Sequence, residues 1–340
     1  MRVVVVGATG NLGSAILTRL HEEPSVTQIV GVARRMPVAT DPRYSDVYWH
    51  ELDIGESTAA ARLAGIFAGA DAVVHLAWAL QPNHDEESLW RTNVEGTKNV
   101  LAAVAAARVP QIAYPSSIAA YSPGPKKQRV DESWPTGGVH TSHYSRHKAI
   151  NERALDRFEE DYPEIVVTRF RPGFVFSRDA ATEIAGLFVG KLIPLGWLRF
   201  VHLPVVPLPP QMVAQIVHSS DVADAFWRAL DRRAAGAFNL AAEPVIDGNV
   251  VASVFDTTWL PVRLRVARFA AKLTWKLRLQ NSDPGWIDLG ALVPIMSTER
   301  ARRELGWEPQ VSSTEALAEI VHGVADHARV KASPQLRGSL

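Results

Sequence analysis

Two side chains near the middle of the chain are spaced for proton transfer. Tyr144 and Lys148 are four residues apart, so on a helix they lie on the same face. An isolated tyrosine has a pKa near ~10 and is a poor base at neutral pH. A neighbouring lysine favours the phenolate, and the pair can then exchange a proton with an alcohol or a carbonyl oxygen. The spacing alone is weak support, because such pairs occur by chance on many helices.

A pair of serines follows an apolar run, residues 111–114, that is typical of a buried strand. Side chains at the carboxyl end of such a strand lie where open α/β sheets bind ligands. Ser117 is therefore a candidate to hydrogen-bond the reacting oxygen, and Ser116 is a candidate cofactor contact. The alternative is that both serines are only turn residues.

A glycine-rich turn near the start of the chain stands between a predicted strand and a predicted helix. In that context Gly7 permits a tight turn, Gly10 lets the backbone approach a pyrophosphate, and Gly13 lets helix and strand pack closely. The N-terminus of the helix, with Asn11 and Leu12, faces the phosphates. The pattern predicts a dinucleotide site, and a glycine-rich turn without a ligand is the alternative.

The end of the second predicted strand indicates which dinucleotide is bound. NAD-specific sites usually carry an acidic residue there, which holds the ribose hydroxyls. This chain has Arg34 and Arg35 instead, and guanidinium groups pair well with a phosphate. We therefore predict a preference for NADP(H) over NAD(H), unless the arginines are only solvated. Asp53 and Ile54, after the third strand, are candidate adenine contacts, although Asp is also a common turn residue.

Strands and helices alternate through the first half of the chain. Short apolar runs predict parallel strands buried on both faces, at residues 3–6, 28–32, 47–52, 72–76, 111–114 and 165–170. Apolar residues at helical spacing predict a helix over 12–20 and two long helices over 87–107 and 144–161. This alternation predicts an α/β fold with a doubly wound parallel Rossmann sheet and right-handed crossovers.

The alternation weakens after about residue 175. We predict a Rossmann domain over 1–175 and a smaller, discontinuous substrate-binding part over 176–330. Residues 213–241 are expected to return to the sheet as a strand 215–218, a helix 219–232 capped by Ser219 or Ser220, and a strand 238–240. Prolines between 190 and 212 favour a shaped loop there, and the tail after about 329 is expected to be loose.

One later segment, residues 263–280, holds six basic residues and no acidic one. On a helix its basic and apolar residues lie on two different faces, Arg265, Arg268, Lys272 and Lys276 on one and Phe269, Leu273 and Leu277 on the other. Such a helix can lie on an anionic membrane surface. The neutral charge of the whole chain favours the alternative, a solvated basic face and an apolar face in the core.

Composition excludes several classes of protein. The 340 residues suggest one large domain or two joined ones, and Lys plus Arg equals Asp plus Glu at 36, so no net charge points to nucleic acid or to a membrane. The absence of cysteine excludes disulfides, thiolate metal sites and a cysteine nucleophile, and we expect no bound metal. We find neither a secretory signal nor an apolar run of the ~20 residues that span a membrane, so we expect a cytoplasmic protein.

Together these segments resemble the extended short-chain dehydrogenase/reductase family, also called the NAD-dependent epimerase/dehydratase family. The resemblance covers most of the chain. It rests on the glycine turn GATGNLG, on the segments HLAW, TNVEGT, SSIAAY and YSRHK, on the turn RPGFV, and on the late segments VHSSDVA and RRELGW.

The resemblance implies a role for each matched residue. Tyr144 would be the acid/base, Lys148 would tune it and bind the nicotinamide ribose, and Ser117 would polarise the substrate oxygen. Asn93 would support this network. The matched segments add further candidate cofactor contacts, namely Leu76, Ala77, Trp78, Ser116, Pro172 and Val175. The resemblance also implies a homodimer built on the two long helices.

Departures from the family's patterns narrow the reaction. Dehydratases of the family often carry an Asp-Glu pair where this chain has Ile118 and Ala119, and sugar-nucleotide members often carry Asn where it has Arg171. The resulting RP turn resembles the branch that reduces ketones and flavonoid- or steroid-like carbonyls. The loop 203–210 is apolar, which suits either a hydrophobic ligand or the core.

These observations favour an NADP(H)-dependent oxidoreductase that interconverts a carbonyl and an alcohol on a small, apolar substrate. A nucleotide-sugar epimerase is the first alternative, because it uses the same hydride chemistry. A regulatory protein that senses the dinucleotide without activity is the second, since the fold alone does not settle function.

Overall fold

The computed structural model describes residues 1–37, 41–80, 84–181, 204–280 and 282–325. The strands in chain order are β1 (Arg2–Val6), β2 (Gln28–Ala33), β3 (Val47–Glu51), β4 (Ala72–His75), β5 (Gln111–Pro115), β6 (Arg129–Val130), β7 (Val166–Pro172), β8 (Phe174–Phe176), β9 (Val205–Leu208), β10 (Ile216–His218), β11 (Gly236–Leu240), β12 (Thr258–Pro261) and β13 (Ile295–Met296). The helices are α1 (Asn11–His21), α2 (Ala59–Phe67), α3 (Glu86–Trp90), α4 (Gly96–Ala107), α5 (His143–Asp161), α6 (Ser219–Arg232), α7 (Gly248–Val254), α8 (Leu264–Lys276), α9 (Gly285–Leu292) and α10 (Ser313–Ala325).

Seven parallel strands form the central sheet, in the order β11-β7-β5-β4-β1-β2-β3. The chain runs outward from β1 in both directions, first to β2 and β3, then through β4, β5 and β7 to β11. This is the predicted doubly wound α/β arrangement. The reversal of strand order between β1 and β4 opens a crevice at the carboxyl ends of the strands, where such sheets bind ligands.

The central strands are buried on both faces, as their β-branched sequences predict. Successive side chains of β1 point to opposite faces of the sheet. Val3 and Val5 belong to the core formed with α1 and α6, whereas Val4 and Val6 belong to the core formed with α2, α4 and α5. None of these four valines has exposed surface.

The second half of the chain adds small parallel pairs around the carboxyl edge of the sheet. β8 pairs with β10, β9 with β12, and β6 with β13. Of the residues expected to return to the sheet, β11 joins it beside β7, and α6 packs against α1, while β10 lies in the separate pair with β8. No described helix has both the length and the apolar character that a membrane span requires.

The predicted helix 87–107 is not one regular helix. Residues Arg91–Glu95 form a π-helical segment between α3 and α4. The wider turn falls at Asn93, whose backbone oxygen accepts hydrogen bonds from Asn151 Nδ2 and Thr97 Oγ1, each at 2.8 Å. Apolar spacing cannot reveal such a bulge, because the bulge depends on partners from a distant helix.

Two further local predictions need correction or fall outside the described residues. α6 is capped by His218, whose ring nitrogen accepts a hydrogen bond from Ser220 N at 3.2 Å, and not by Ser219 or Ser220. A histidine ring in this position replaces the usual serine hydroxyl, so the sequence rule chose the wrong residue. The region 190–203 and the tail after 329 lie outside the described residues.

Candidate active site

A cavity of about 380 Å³ lies at the carboxyl ends of the central strands. Its lining includes every predicted site residue other than Asp53 and Asn93. One part, which we call the glycine end, is lined by Gly7, Gly10, Asn11, Leu12, Gly13, Arg34 and Arg35. The other part, the apolar end, is lined by Trp78, Ile118, Trp286, Leu289 and Val293.

The glycine end requires glycine at two positions. Gly7 has a φ of +86°, and a Cβ there would lie 2.5 Å from the backbone nitrogen of Ala77. A Cβ on Gly13 would lie 2.6 Å from the carbonyl oxygens of Gly7 and Ala8. The turn therefore lies directly against the backbone that follows β4, and helix α1 packs closely on the turn, as the sequence predicts.

The N-terminus of α1 has the features of a pyrophosphate site. Gly10 is its N-cap residue and, because glycine has no side chain, it makes no capping hydrogen bond to the N–H groups of the first turn. The first N–H groups of a helix have no intrahelical acceptor, and the helix dipole favours an anion beside them. Because residues 10–13 line the cavity, these groups lie where a dinucleotide phosphate would bind.

The two arginines after β2 line the same end of the cavity. Arg34 and Arg35 are both exposed and belong to the lining. Asp53 is different, because its Oδ1 accepts a hydrogen bond from Gly55 N at 2.9 Å and its carboxylate lies outside the cavity lining. Asp53 thus makes a turn hydrogen bond, its contact with the cofactor stays a prediction, and Ile54 beside it lines the cavity.

Asn93 positions a loop. Its Oδ1 accepts a hydrogen bond from Ala79 N at 2.7 Å, and its Nδ2 donates to Ala79 O at 2.9 Å. Both polar atoms of the side chain are therefore occupied by the backbone that follows β4. Asn93 supports the site through this loop, which carries Trp78, and the described structure gives it no bond to Tyr144 or Lys148.

The catalytic candidates converge where β5 and α5 meet. Ser142 caps α5 by accepting a hydrogen bond from Ser145 N, which places Tyr144 in the first turn and Lys148 one turn later. The Ser117 hydroxyl lies beside that of Tyr144, and both residues line the cavity. Lys148 Nζ donates to the backbone oxygen of Pro115 at 2.7 Å. The structure thus brings together the three side chains that the sequence proposed.

Burial acts on the two titratable groups in opposite directions, because it disfavours the charged form of each. It raises the pKa of Tyr144, and the nearby Ser117 hydroxyl opposes this only in part. It lowers the pKa of Lys148 to about 7, against the opposing charge of Glu152. Tyr144 is therefore protonated at neutral pH and can donate a proton to an oxygen in the cavity.

The Glu152 carboxylate and the Arg171 guanidinium form a buried ionic cluster next to these residues. Glu152 Oε1 accepts hydrogen bonds from Ser116 Oγ at 2.5 Å and from Arg171 Nε at 2.8 Å. Burial alone would raise the pKa of Glu152, but its hydrogen bonds and charge interactions with Arg171 outweigh burial and hold it at about 2. Arg171, near the end of β7, therefore holds β7 against α5.

Sequence reasoning missed Glu152, although a signal for it was available. Glu152 follows Lys148 by four residues, so the same helix face that carries Tyr144 and Lys148 also carries this carboxylate. The fully buried position of Glu152, with no exposed surface, could not be read from that spacing.

Aromatic rings enclose Tyr144 at the apolar end. The centroid of its ring lies 5.6 Å from that of Trp78 and 5.2 Å from that of Trp286. Lys148 Nζ also lies 3.7 Å from the centroid of Trp78, at a distance typical of a cation–π contact. Trp286 comes from α9, far along the chain, and nothing in the sequence analysis placed it here.

The apolar loop 203–210 does not supply this wall in its described part. Residues 204–210 contain β9, which pairs with β12, and none of them belongs to the cavity lining. Val205 is 38% exposed, so this strand is not deep core either. The interpretation of the loop as a pocket wall is therefore wrong for its described residues.

Two histidines of α5, His143 and His147, lie close to Tyr144 in the chain. His143 Nδ1 lies 3.0 Å from Asp283 Oδ2, and burial lowers the pKa of His147 to about 4. Within the described ranges, no group of three or more His, Cys, Asp or Glu side chains is arranged to hold a metal ion.

Comparison with known proteins identifies the family. The sequence profile of the NAD dependent epimerase/dehydratase family matches residues 3–241. The chain belongs to this family. The matched range includes the glycine turn and all three catalytic candidates.

Several curated proteins are similar to this chain in sequence. An uncharacterised Mycobacterium tuberculosis protein is 25% identical over 326 residues, and the match covers 95% of this chain but 30% of that relative. The chain thus spans about a third of the length of the curated relatives that it matches first.

Two shorter matches have named activities. An N-acetyl-alpha-D-glucosaminyl-diphospho-ditrans,octacis-undecaprenol 4-epimerase from Escherichia coli O157:H7 is 30% identical, covering 57% of this chain and 56% of that protein. A decarboxylating sterol-4-alpha-carboxylate 3-dehydrogenase from Candida albicans is 26% identical, covering 54% and 53%.

Solved structures share the fold. The UDP-glucose 4-epimerase of Thermotoga maritima superposes with a TM-score of 0.70 at 19% identity, covering 96% of this chain and 99% of that one. At this identity the similarity concerns the architecture of the sheet and its surrounding helices.

Proposed function

We propose that this protein is an NADP(H)-dependent oxidoreductase that interconverts a carbonyl and an alcohol on a small, apolar substrate. One observation carries the proposal. Tyr144, with Ser117 beside it, stands in the same cavity as the glycine turn, and that cavity is apolar beyond it. A proton donor, a dinucleotide-binding turn and an apolar wall are the parts that carbonyl reduction requires.

The chain's own residues handle the proton. The Tyr144 hydroxyl donates its proton to the carbonyl oxygen as the alcohol forms, and solvent then restores the proton. Ser117 holds the same oxygen by a hydrogen bond and fixes the tyrosine hydroxyl. In the oxidative direction the proton returns to Tyr144. Proton transfer by a positioned side chain typically accelerates a reaction by about 10²- to 10⁴-fold.

The cofactor, when bound, supplies or accepts the hydride at the carbonyl carbon. Gly7, Gly10 and the first turn of α1 would hold its pyrophosphate. Arg34 and Arg35 would pair with the 2′-phosphate of NADP(H), because a planar guanidinium matches phosphate oxygens. Lys148, one turn after Tyr144 on α5, would bind the nicotinamide ribose and bring positive charge towards the tyrosine when it is protonated.

The apolar end suggests the substrate class. Side chains that line it are aliphatic or aromatic, and a pocket of this kind binds apolar ligands with a few polar groups for orientation. Little there would hold a diphosphate. The sterol dehydrogenase among the relatives acts, by its name, on an apolar carbon skeleton, which is compatible with this choice.

The decisive experiment combines cofactor binding with turnover. We expect NADPH to raise the melting temperature more than NADH does, and an NADPH-coupled screen of ketones to show turnover. Tyr144→Phe should keep the NADPH shift and lose turnover by about 10²- to 10⁴-fold. Turnover at the wild-type rate in this variant would rule out the proposed acid.

A nucleotide-sugar epimerase is the second candidate function. The 30% identical Escherichia coli relative is named as an epimerase and supports it. A thermal shift produced by a nucleotide diphosphate, together with a preference for NADH, would favour the epimerase. A dinucleotide sensor without activity is less well supported, because such a protein has no use for the Ser117–Tyr144–Lys148 arrangement. A homodimer through α4 and α5 stays a prediction.

A further inference from the structure

Helix α8 presents an apolar stripe to solvent. Val266, Phe269, Leu273 and Leu277, at the end of the helix, are 59%, 68%, 48% and 59% exposed. Their spacing of three and four residues places them along one side of the helix. Among the described residues nothing buries them, and no residue of α8 is fully buried. The expectation that this face packs in the core is therefore not met by the described residues.

Cations flank the stripe. Arg265, Lys272 and Lys276 are exposed, and their helical positions place them along one edge of the apolar side chains. Residues 263–280 contain no acidic residue that would neutralise them. An apolar ridge bordered by lysine and arginine is complementary to a surface that combines acyl chains with negatively charged headgroups.

The opposite side of α8 is attached to the two walls of the cavity. Trp275 stacks on His84, with ring centroids 4.5 Å apart, and His84 follows the loop that carries Trp78. Arg268 Nε donates to Asp288 Oδ1 at 2.8 Å, and Asp288 lies on α9 between Trp286 and Leu289. The exposed stripe therefore lies on the side of α8 opposite these two contacts, and α8 packs on α9, the helix that lines the apolar end.

We propose that α8 docks this protein on an anionic membrane surface, with the stripe Val266–Phe269–Leu273–Leu277 in the headgroup–acyl boundary and the flanking cations on the lipid phosphates. A second copy of the chain would meet like charge along the same edge. Residues 182–203, which the structure does not describe, carry Glu183 as their only acidic residue and so offer little complementary charge. Charge complementarity therefore favours an anionic lipid surface over a second copy of the chain and over residues 182–203.

The test is vesicle co-sedimentation of the full-length chain. We expect binding to phosphatidylcholine vesicles that contain phosphatidylglycerol, weak binding to phosphatidylcholine alone, and a decrease at high salt. Lys272→Gln with Lys276→Gln should lower the partition coefficient about 25-fold, from the contribution of each cation near an anionic surface. Phe269→Ser with Leu273→Ser should lower it by roughly tenfold or more.

Matched variants elsewhere on the surface provide the controls. Arg302→Gln with Arg303→Gln removes the same number of exposed cations from another segment, and Tyr48→Ser removes an aromatic ring that is 63% exposed on β3. Both controls should sediment with anionic vesicles as the wild type does.

Three outcomes would overturn the proposal. The first is equal binding to vesicles with and without phosphatidylglycerol, or none to either. The second is a wild type that does not bind vesicles together with a Phe269→Ser/Leu273→Ser variant that forms a smaller oligomer than the wild type. That result would assign the stripe to a contact with a second copy of the chain. The third is a markedly lower melting temperature of that variant, again without vesicle binding, which would assign the stripe to the chain's own core.

Discussion

The two ends of the cavity are built by different means. At the glycine end three of the seven lining residues named above are glycines, from the turn after β1 and the first turn of α1. Its shape depends on the absence of Cβ atoms at Gly7 and Gly13. At the apolar end the lining consists of side chains, Trp78 after β4, Ile118 after β5 and Trp286 on α9.

This difference has a consequence for what each end can tolerate. The glycine end tolerates few substitutions, because an added Cβ would contact backbone atoms that cannot move independently. A wall of side chains can change in size and shape while the fold persists. We therefore expect substitutions at the glycine end to affect cofactor binding, and substitutions at the apolar end to affect substrate selection.

The largest expected effect is at the glycine end. Gly7→Ala should abolish the NADPH-induced thermal shift and lower the free energy of unfolding by about 1–3 kcal/mol, because its Cβ would lie 2.5 Å from Ala77 N at a φ of +86°. Gly69→Ala is the matched control, since Gly69 has a φ of +73° but nothing within 4 Å of its Cβ. Retention of the shift in Gly7→Ala would show that the turn does not bind the cofactor.

The next effect separates the two dinucleotides. Arg34→Gln with Arg35→Gln should raise the Kd of NADPH by roughly 10- to 100-fold, as expected for the loss of charge-assisted hydrogen bonds, and leave the Kd of NADH nearly unchanged. Fluorescence titration with each cofactor measures both constants, and Arg303→Gln serves as a control outside the cavity. An equal rise in the Kd of both cofactors would show that the arginines do not distinguish NADPH from NADH.

A smaller effect is expected at the apolar end. Trp286→Ala removes the ring that packs on Tyr144, so kcat/KM for an apolar ketone should fall roughly tenfold, while the Kd of NADPH stays within the error of the titration. Trp286→Phe should restore most of the loss. Trp90→Ala, outside the cavity lining, is the control. A changed Kd of NADPH would mean that the two ends are not independent.

A further expected effect is a pH dependence of stability that originates between the two ends. The pKa of Lys148 is about 7 in the folded protein and 10.5 for a free lysine. Between these values the unfolded chain binds more protons, so the free energy of unfolding rises with pH, by at most ~1.4 kcal/mol per pH unit.

Lys148→Met should reduce this rise, whereas Lys98→Met, at an exposed position, should leave it in place. Urea unfolding at neutral and mildly alkaline pH measures the slope for each variant. The same slope in wild type and Lys148→Met would contradict the lowered pKa of the buried amine.

Local pattern predicted most of the central sheet and the glycine end. The runs that became β1, β2, β4 and β5 are short and apolar because parallel strands are buried on both faces, and this property is visible residue by residue. The turn after β1 could be predicted because its glycines must stand at fixed spacing around one bend. Tyr144 and Lys148 could be paired because a helix sets their separation.

Other features depend on which groups a polar side chain meets in the folded chain. Asn93 was expected to support the catalytic network and Asp53 to contact the cofactor; both side-chain polar atoms of Asn93 bond to Ala79, and Asp53 Oδ1 accepts from Gly55 N. The π-helical segment at Asn93 and the histidine cap of α6 likewise depend on particular partners. Sequence spacing predicts that a residue lies near a site. The direction of its side chain depends on which hydrogen-bond partners the folded chain brings close to it.

The sequence by itself determined the α/β class from short-range periodicity and the glycine turn from a fixed local bend, and the family resemblance of its segments added Ser117, Tyr144 and Lys148 as candidates. Only the tertiary structure decided that Trp78 and Trp286 enclose Tyr144, that Glu152 is buried behind it, and that the apolar side of α8 faces solvent. The physical reason is that burial belongs to the packed molecule, and it arises when segments far apart in the chain exclude water together.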